Sequence, residues 1–247
     1  MTTGPQYIVA APHNVGRLPD FVSFEQGATI GVGCVAAASA LFDSLMITPN
    51  PPWKGFASSS GHLSERDRPW IIIWGASCVT GMMITQLARQ SGFRVFAVAG
   101  IHNTAELHSL GAEVIFDRHK PQEAIAQAQK YSIRLAVDCV GQETASYAVQ
   151  AMQEGGKMAY LVKGPKPEVV EEKKATITDI LIKRFHEDER YGQALANHIS
   201  QSLLSRSIRP VKLDLVDGGF GGLENGLKRL KNQEVSGRKL VVRVEMD

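Results

Sequence analysis

The residues best placed to do chemistry lie in one short stretch. There the apolar run Trp70-Ile71-Ile72-Ile73-Trp74 breaks into Gly75-Ala76-Ser77-Cys78-Val79-Thr80-Gly81, and Met82-Met83-Ile84-Thr85-Gln86-Leu87-Ala88-Arg89-Gln90 follows with helical spacing. A buried strand feeding a small-residue turn and then a helix gathers backbone N–H groups and the positive helix end at one point. Such a point suits a pyrophosphate, which makes Gly75, Ser77, Cys78, Val79, Thr80 and Gly81 candidate contacts for a dinucleotide. The spacing is not the three-glycine fingerprint, so the turn draws its weight from what surrounds it.

The surrounding elements alternate. Residues 94–99 read as a second strand, and Asn103 as the N-cap of a helix with the acid Glu106 three residues on, stopping near Gly111. Then come strand 114–116, helix 121–129, strand 135–139, helix 142–152 and strand 157–162. Helices are expected over 177–185 and 191–205, the latter with Leu195, Ile199 and Leu203 on one stripe. Arg209-Pro210-Val211-Lys212-Leu213 reads as a sixth strand and 240–244 as a last one. Alternation of this kind implies an α/β fold, a doubly wound parallel sheet with helices on both faces. The glycine run Gly218-Gly219-Phe220-Gly221-Gly222 is read as a connection, and the Pro- and Ser-rich stretch around Trp53 as a surface loop.

Composition narrows the function. The chain has 247 residues, 44% of them hydrophobic, enough for one large core or two smaller ones. With 27 basic against 25 acidic residues the net charge is +2, which makes no electrostatic case for nucleic acid. No apolar run of membrane-spanning length is expected, and Met1-Thr2-Thr3-Gly4 lacks a secretory pattern, so the expectation is a cytoplasmic protein without a membrane partner. Cys34, Cys78 and Cys139 are far apart in sequence and read as buried free thiols. No cysteine or histidine set has zinc-ligand spacing, so no metal is expected.

Taken together, 7–42, 74–81, 103–112, Val137-Asp138-Cys139, Gly155-Gly156-Lys157 and Val235-Ser236-Gly237-Arg238-Lys239-Leu240-Val241-Val242 resemble the medium-chain dehydrogenase/reductase superfamily. The resemblance is to its zinc-free fungal members, the stand-alone enoyl reductases that serve polyketide synthases, and it covers nearly the whole chain in order. It implies a Rossmann domain at 36–210, with remnants of a truncated GroES-like catalytic domain at 1–35 and 211–247. It also implies NADP(H) as cofactor, with further contacts at Gly100, His102 and Asn103 after the second strand, at Val140 and Gly141 after the fourth, and at Val162 at the end of the fifth. Lys163-Gly164-Pro165-Lys166 then lies where the nicotinamide sits in relatives.

Three departures qualify that expectation. Relatives carry Gly or Ser where Cys78 and Val79 stand, and a β-branched Val79 adds bulk and removes a hydroxyl. Gly100-Ile101-His102-Asn103 replaces a stretch whose serine and lysine meet the 2′-phosphate, so His102 stands for a permanent cation. No acid ends the second strand, so the ribose-diol contact that favours NAD is missing. The residues leave three functions open: reduction of a polyketide-like or other apolar carbonyl substrate, a non-redox cyclase, isomerase or dehydratase on the same fold, or a non-catalytic partner of a biosynthetic enzyme. No general acid or base is assigned. A homodimer, or a complex with a biosynthetic enzyme, is expected from the apolar runs at both ends.

Overall fold

The structure, a computed structural model, describes residues 9–50 and 67–243. The readings at Gly4–Ile8, around Trp53 and at 244–247 lie outside the described residues. Strand β1 (Trp70–Trp74) is buried along its whole length. It pairs in parallel with β2 (Arg94–Ala99) on one side and β4 (Leu135–Asp138) on the other. With β3 (Ala112–Asp117), β5 (Lys157–Tyr160) and β6 (Thr176–Asp179) this makes a parallel sheet of order β3-β2-β1-β4-β5-β6. It is a doubly wound Rossmann sheet, and its order reverses between β1 and β4, which opens a crevice at the carboxyl ends of those two strands.

Side chains of a strand alternate between faces, and β1 divides accordingly. Ile71 and Ile73 enter one core with Met83, Leu107 and Leu195, while Trp70, Ile72 and Trp74 enter the other with Ile125, Ala145 and Ala148. The first face is covered by α2 (Gly31–Ala38), entered from the short α1 (Phe24–Gly27), together with α3 (Val79–Gln90), α4 (Thr104–Leu110) and α9 (Glu189–Leu204). The second carries α5 (Pro121–Ala128), α6 (Gln142–Ala151) and α7 (Pro167–Lys173). Small alanines on α6 let it close on the tryptophan face, where Trp74 and Tyr147 have ring centroids 5.5 Å apart. Trp70 lies under the Arg94 guanidinium, 4.1 Å from its ring centroid.

The structure corrects several expectations. The sixth strand is Thr176–Asp179, overlapping the start of the stretch read as helix 177–185; its β-branched Thr176, Ile177 and Thr178 favour the pleat of an edge strand. Only Arg184–Glu187, α8, is helical there. The segment at 209–213 does not join the main sheet. Instead β7 (Leu213–Val216) pairs in parallel with β8 (Lys239–Val242), so the last strand lies in a separate two-stranded sheet. Between them Gly218, at φ 91°, opens a tight 3-10 turn, Gly219–Gly222, into α10 (Leu223–Lys231). Among the described residues of 9–35 there is no strand, but a 3-10 turn at Pro12–Asn14. Contrary to expectation, one stretch, Phe24–Ser44, is long and apolar enough to cross a membrane; 67% of its 18-residue apolar window is buried inside the protein, as in a core helix.

Candidate functional site

The turn after β1 faces the loop after β4 across the crevice. Gly75 adopts φ 79°, a conformation that costs a glycine little, and the Cys78 N–H returns to its carbonyl at 3.0 Å. A side chain on Gly81 would strike Gly75 O and stand 2.7 Å from Ala76 Cα, so only glycine lets the first turn of α3 sit this close to the strand end. Cys78 is the N-cap of α3, and its sulfur accepts from Gly81 N–H at 3.3 Å. Val79 points away from the turn, toward α2. A Cβ built on Gly33 would lie 2.7 Å from Val79 Cγ1, so the missing side chain of Gly33 makes room for the valine.

Across the crevice Asp138 is fully buried. Its Oδ1 accepts from Val140 N–H at 3.0 Å and Gly141 N–H at 2.8 Å, which shapes the loop, and Thr144 caps α6 against Gly141. Oδ2 is buried without a hydrogen-bond partner, and burial raises the pKa of this carboxyl above the ordinary aspartate range. Val140 lies over Gly75, with Cγ2 2.6 Å from where a Cβ there would be, yet half its surface is open. Val162 is also exposed, beyond the end of β5. The Lys163-Gly164-Pro165-Lys166 segment links β5 to α7, where the Lys166 N–H donates to Ser146 Oγ at 3.0 Å.

At the end of β2 the His102 ring folds over Gly100. Its Nε2 is 2.9 Å from Ser236 Oγ, and Asn103 Nδ2 donates to the same oxygen at 3.1 Å. Asn103 does precede α4, but its side chain caps nothing there, and Glu106 turns away to Arg209 at 3.0 Å and Lys212 at 2.8 Å. The capping box expected from the sequence is therefore absent, because Asn103 closes a 3-10 turn, Ile101–Asn103, that runs straight into α4 and lacks the extended backbone of an N-cap. The sheet also brings Arg118 to this corner. Its N–H donates to Ala99 O at 2.9 Å, and its exposed side chain follows β3, next to β2.

The thiols differ from their uniform reading. Cys34 and Cys139 are buried, but Cys78 is exposed, because an N-cap at the carboxyl edge of the sheet lies where the core ends. Beyond α2 lies a cavity of about 350 Å³, lined by Leu18, Val35, Ile182 and Phe185, with Arg17 and His186 among its polar groups. It is largely apolar and within the size range of small-molecule sites. Among the described residues no three His, Cys, Asp or Glu side chains converge as a metal site would require. Sequence reasoning missed Arg118 and Ser236, since only strand order and the return of the C-terminal segment bring them to Gly100–Asn103. The basic run Arg118-His119-Lys120 at a strand end was the one available signal.

Comparison with known proteins agrees with this architecture. The zinc-binding dehydrogenase family model matches residues 79–196. The trans-enoyl reductase ACTTS2 of Alternaria alternata is 29% identical over 97% of this chain and 70% of its own length. The enoyl reductase component of the lovastatin nonaketide synthase of Aspergillus terreus is 26% identical with the same coverage. Among solved structures, the CurK enoyl reductase superposes with a TM-score of 0.76 at 16% identity, covering 96% of this chain and 68% of that one. The quinone oxidoreductase of Thermus thermophilus, solved also with NADPH, gives 0.68 at 19% identity, covering 89% and 67%. With this sheet order and this turn, the chain is similar over nearly its whole length to fungal trans-enoyl reductases and resembles the medium-chain dehydrogenase/reductase superfamily in fold.

Proposed function

We propose that this chain is an enoyl reductase of fungal polyketide-type metabolism, reducing an apolar α,β-unsaturated carbonyl substrate with NADP(H). The observation that carries the reading is similarity to trans-enoyl reductases over 97% of the chain. The crevice fits the cofactor at one end, since Gly81 leaves backbone-only clearance at the turn and the N–H groups of Val79 and Thr80 stand at the start of α3. Bound NADPH would supply the hydride.

The residues around it have separate tasks. Gly75, Ser77 and the α3 N-terminus would hold the pyrophosphate, while Gly100, His102 and Asn103 line the adenosine side, with Arg118 as the cation for the 2′-phosphate. Val140, Gly141 and Val162 flank the path toward the nicotinamide. The largely apolar cavity beyond α2 suits an acyl chain. Homodimer formation, or docking on a biosynthetic enzyme, belongs to the same reading.

A second reading, a non-redox enzyme on this fold, rests on one feature. His102 is tied to Ser236, and the Gly81 N–H to Cys78, so two groups facing the phosphates are already engaged within the protein. Calorimetric titration with NADPH, followed by absorbance at 340 nm with an enoyl thioester, separates the two. Binding and consumption of NADPH support the reductase; turnover of a substrate without either supports the alternative.

A further inference from the structure

Two cysteines far apart in sequence meet across the crevice. Cys139 N–H donates to Trp74 O and Cys78 N–H to Gly75 O, each at 3.0 Å, so both are tied to consecutive residues at the end of β1. A Cβ on Gly75 would stand 3.4 Å from the Cβ of Cys139, which shows how closely that side chain lies over the turn. The Cys139 and Cys78 side chains interact directly, each shifting the titration of the other. That sulfur also takes the Gly81 N–H at 3.3 Å at the positive end of a three-turn helix.

These contacts sort the two thiols by role. The interaction with Cys139, then donation from the Gly81 and Thr80 N–H groups, outweighs the partial desolvation of the sulfur and the Asp138 charge and lowers the Cys78 pKa to about 7. The interaction with Cys78 and its own burial push Cys139 up. Cys78 is exposed and Cys139 buried behind it. This is the arrangement of an attacking thiolate and a resolving thiol.

We propose that Cys78 and Cys139 are a redox-active dithiol, oxidised by hydrogen peroxide to an intramolecular disulfide that withdraws the N-cap of α3 and closes the turn to phosphate. The Cys78 thiolate attacks one peroxide oxygen and the O–O bond breaks. Hydroxide leaves and is protonated to water, and Cys78 becomes a sulfenic acid. Cys139 then gives up its proton and its sulfur attacks Cys78, displacing the sulfenic hydroxyl, which leaves with that proton as a second water. Two thiols lose two electrons, and the peroxide is reduced to two waters. Oxidation of the pair is independent of the dinucleotide reading; closure of the turn to phosphate and protection by NADPH rest on it.

The test uses the whole chain with hydrogen peroxide at pH 7, quenched with iodoacetamide and mapped by peptide mass. The expected product is a Cys78–Cys139 cross-linked peptide lighter by two hydrogens. Cys34, buried and pushed up to about 12 by that burial, stays reduced. C139S should instead accumulate a dimedone-reactive sulfenic acid at Cys78, and C78S should leave Cys139 unoxidised. Without oxidant, Cys78 should alkylate about sixfold faster than an ordinary thiol at pH 7, the gain in thiolate outweighing its lower nucleophilicity. Single oxidation of wild-type Cys78 with Cys139 still free, or equal alkylation of both, overturns the proposal. Saturating NADPH should slow the cross-link. A cross-link formed at an unchanged rate supports the dithiol and counts against the dinucleotide reading alone.

Discussion

Gly33→Ala puts a methyl group where the valine of the phosphate turn already lies. The new carbon would stand 2.7 Å from Val79 Cγ1 and 3.6 Å from Val79 Cβ, against a comfortable carbon–carbon separation of about 3.5–4.0 Å. Overpacking of that order costs about 1–3 kcal/mol. Replacing a helical glycine returns about 0.5–1 kcal/mol, so the single substitution should lose roughly 1 kcal/mol. Val79→Ala alone removes part-buried methyl surface and should also lose about 1 kcal/mol. In the double variant the clash is gone and the helix gain remains, so stability should return near wild type, a coupling of about 2 kcal/mol. Urea unfolding followed by far-ultraviolet circular dichroism measures each corner of the cycle. If Gly33→Ala stabilises the protein and its effect adds simply to that of Val79→Ala, Val79 does not rest on α2. Calorimetry on the same variants adds a functional reading: Gly33→Ala should weaken NADPH, because the valine can yield only toward the turn.

His198 gives a pH dependence. Burial lowers its pKa to about 4 from an ordinary 6.5, so the native state binds fewer protons than the unfolded chain. Its contribution is fully present above pH 6.5 and lost as pH falls through 4; between pH 7 and pH 5 it should cost about 2 kcal/mol, read from urea midpoints and flattened in His198→Asn. Arg118→Ala should weaken NADPH about fivefold while leaving NADH nearly unchanged, the loss of one exposed charge contact; equal loss for both would remove Arg118 from the phosphate site. Light scattering should return a homodimer, given the exposed Phe24, Val32 and Leu227, and a stable monomer at working concentration would count against that expectation.

The part of the fold that sequence reveals is the part that is buried on both sides. Trp70–Trp74 and Arg94–Ala99 read as strands because a central parallel strand is apolar without alternation and ends at a glycine. Thr176–Asp179 is half-exposed and four residues long, so neither sign is present, and its isoleucine spacing passes for a helix. Pairing between Leu213–Val216 and Lys239–Val242 spans a helix and has no local signature. The site divides the same way. The turn at 75–81 is local and legible. Its meeting with Cys139, and that of His102 with Ser236, depend on strand order and on the returning C-terminal segment, which periodicity does not encode.

The two tryptophans of β1 make that strand an optical gauge of the crevice. Trp74 is the last residue before Gly75, and its carbonyl receives the Cys139 N–H, so a change at the dithiol or the turn reaches its indole directly. Trp70 sits at the far end of the same strand under Arg94 and responds to the sheet as a whole. With Trp53 replaced by phenylalanine, emission from Trp74 in a Trp70→Phe background would follow occupancy and oxidation without any added label. Emission from Trp70, in the reverse background, would serve as the internal reference for unfolding.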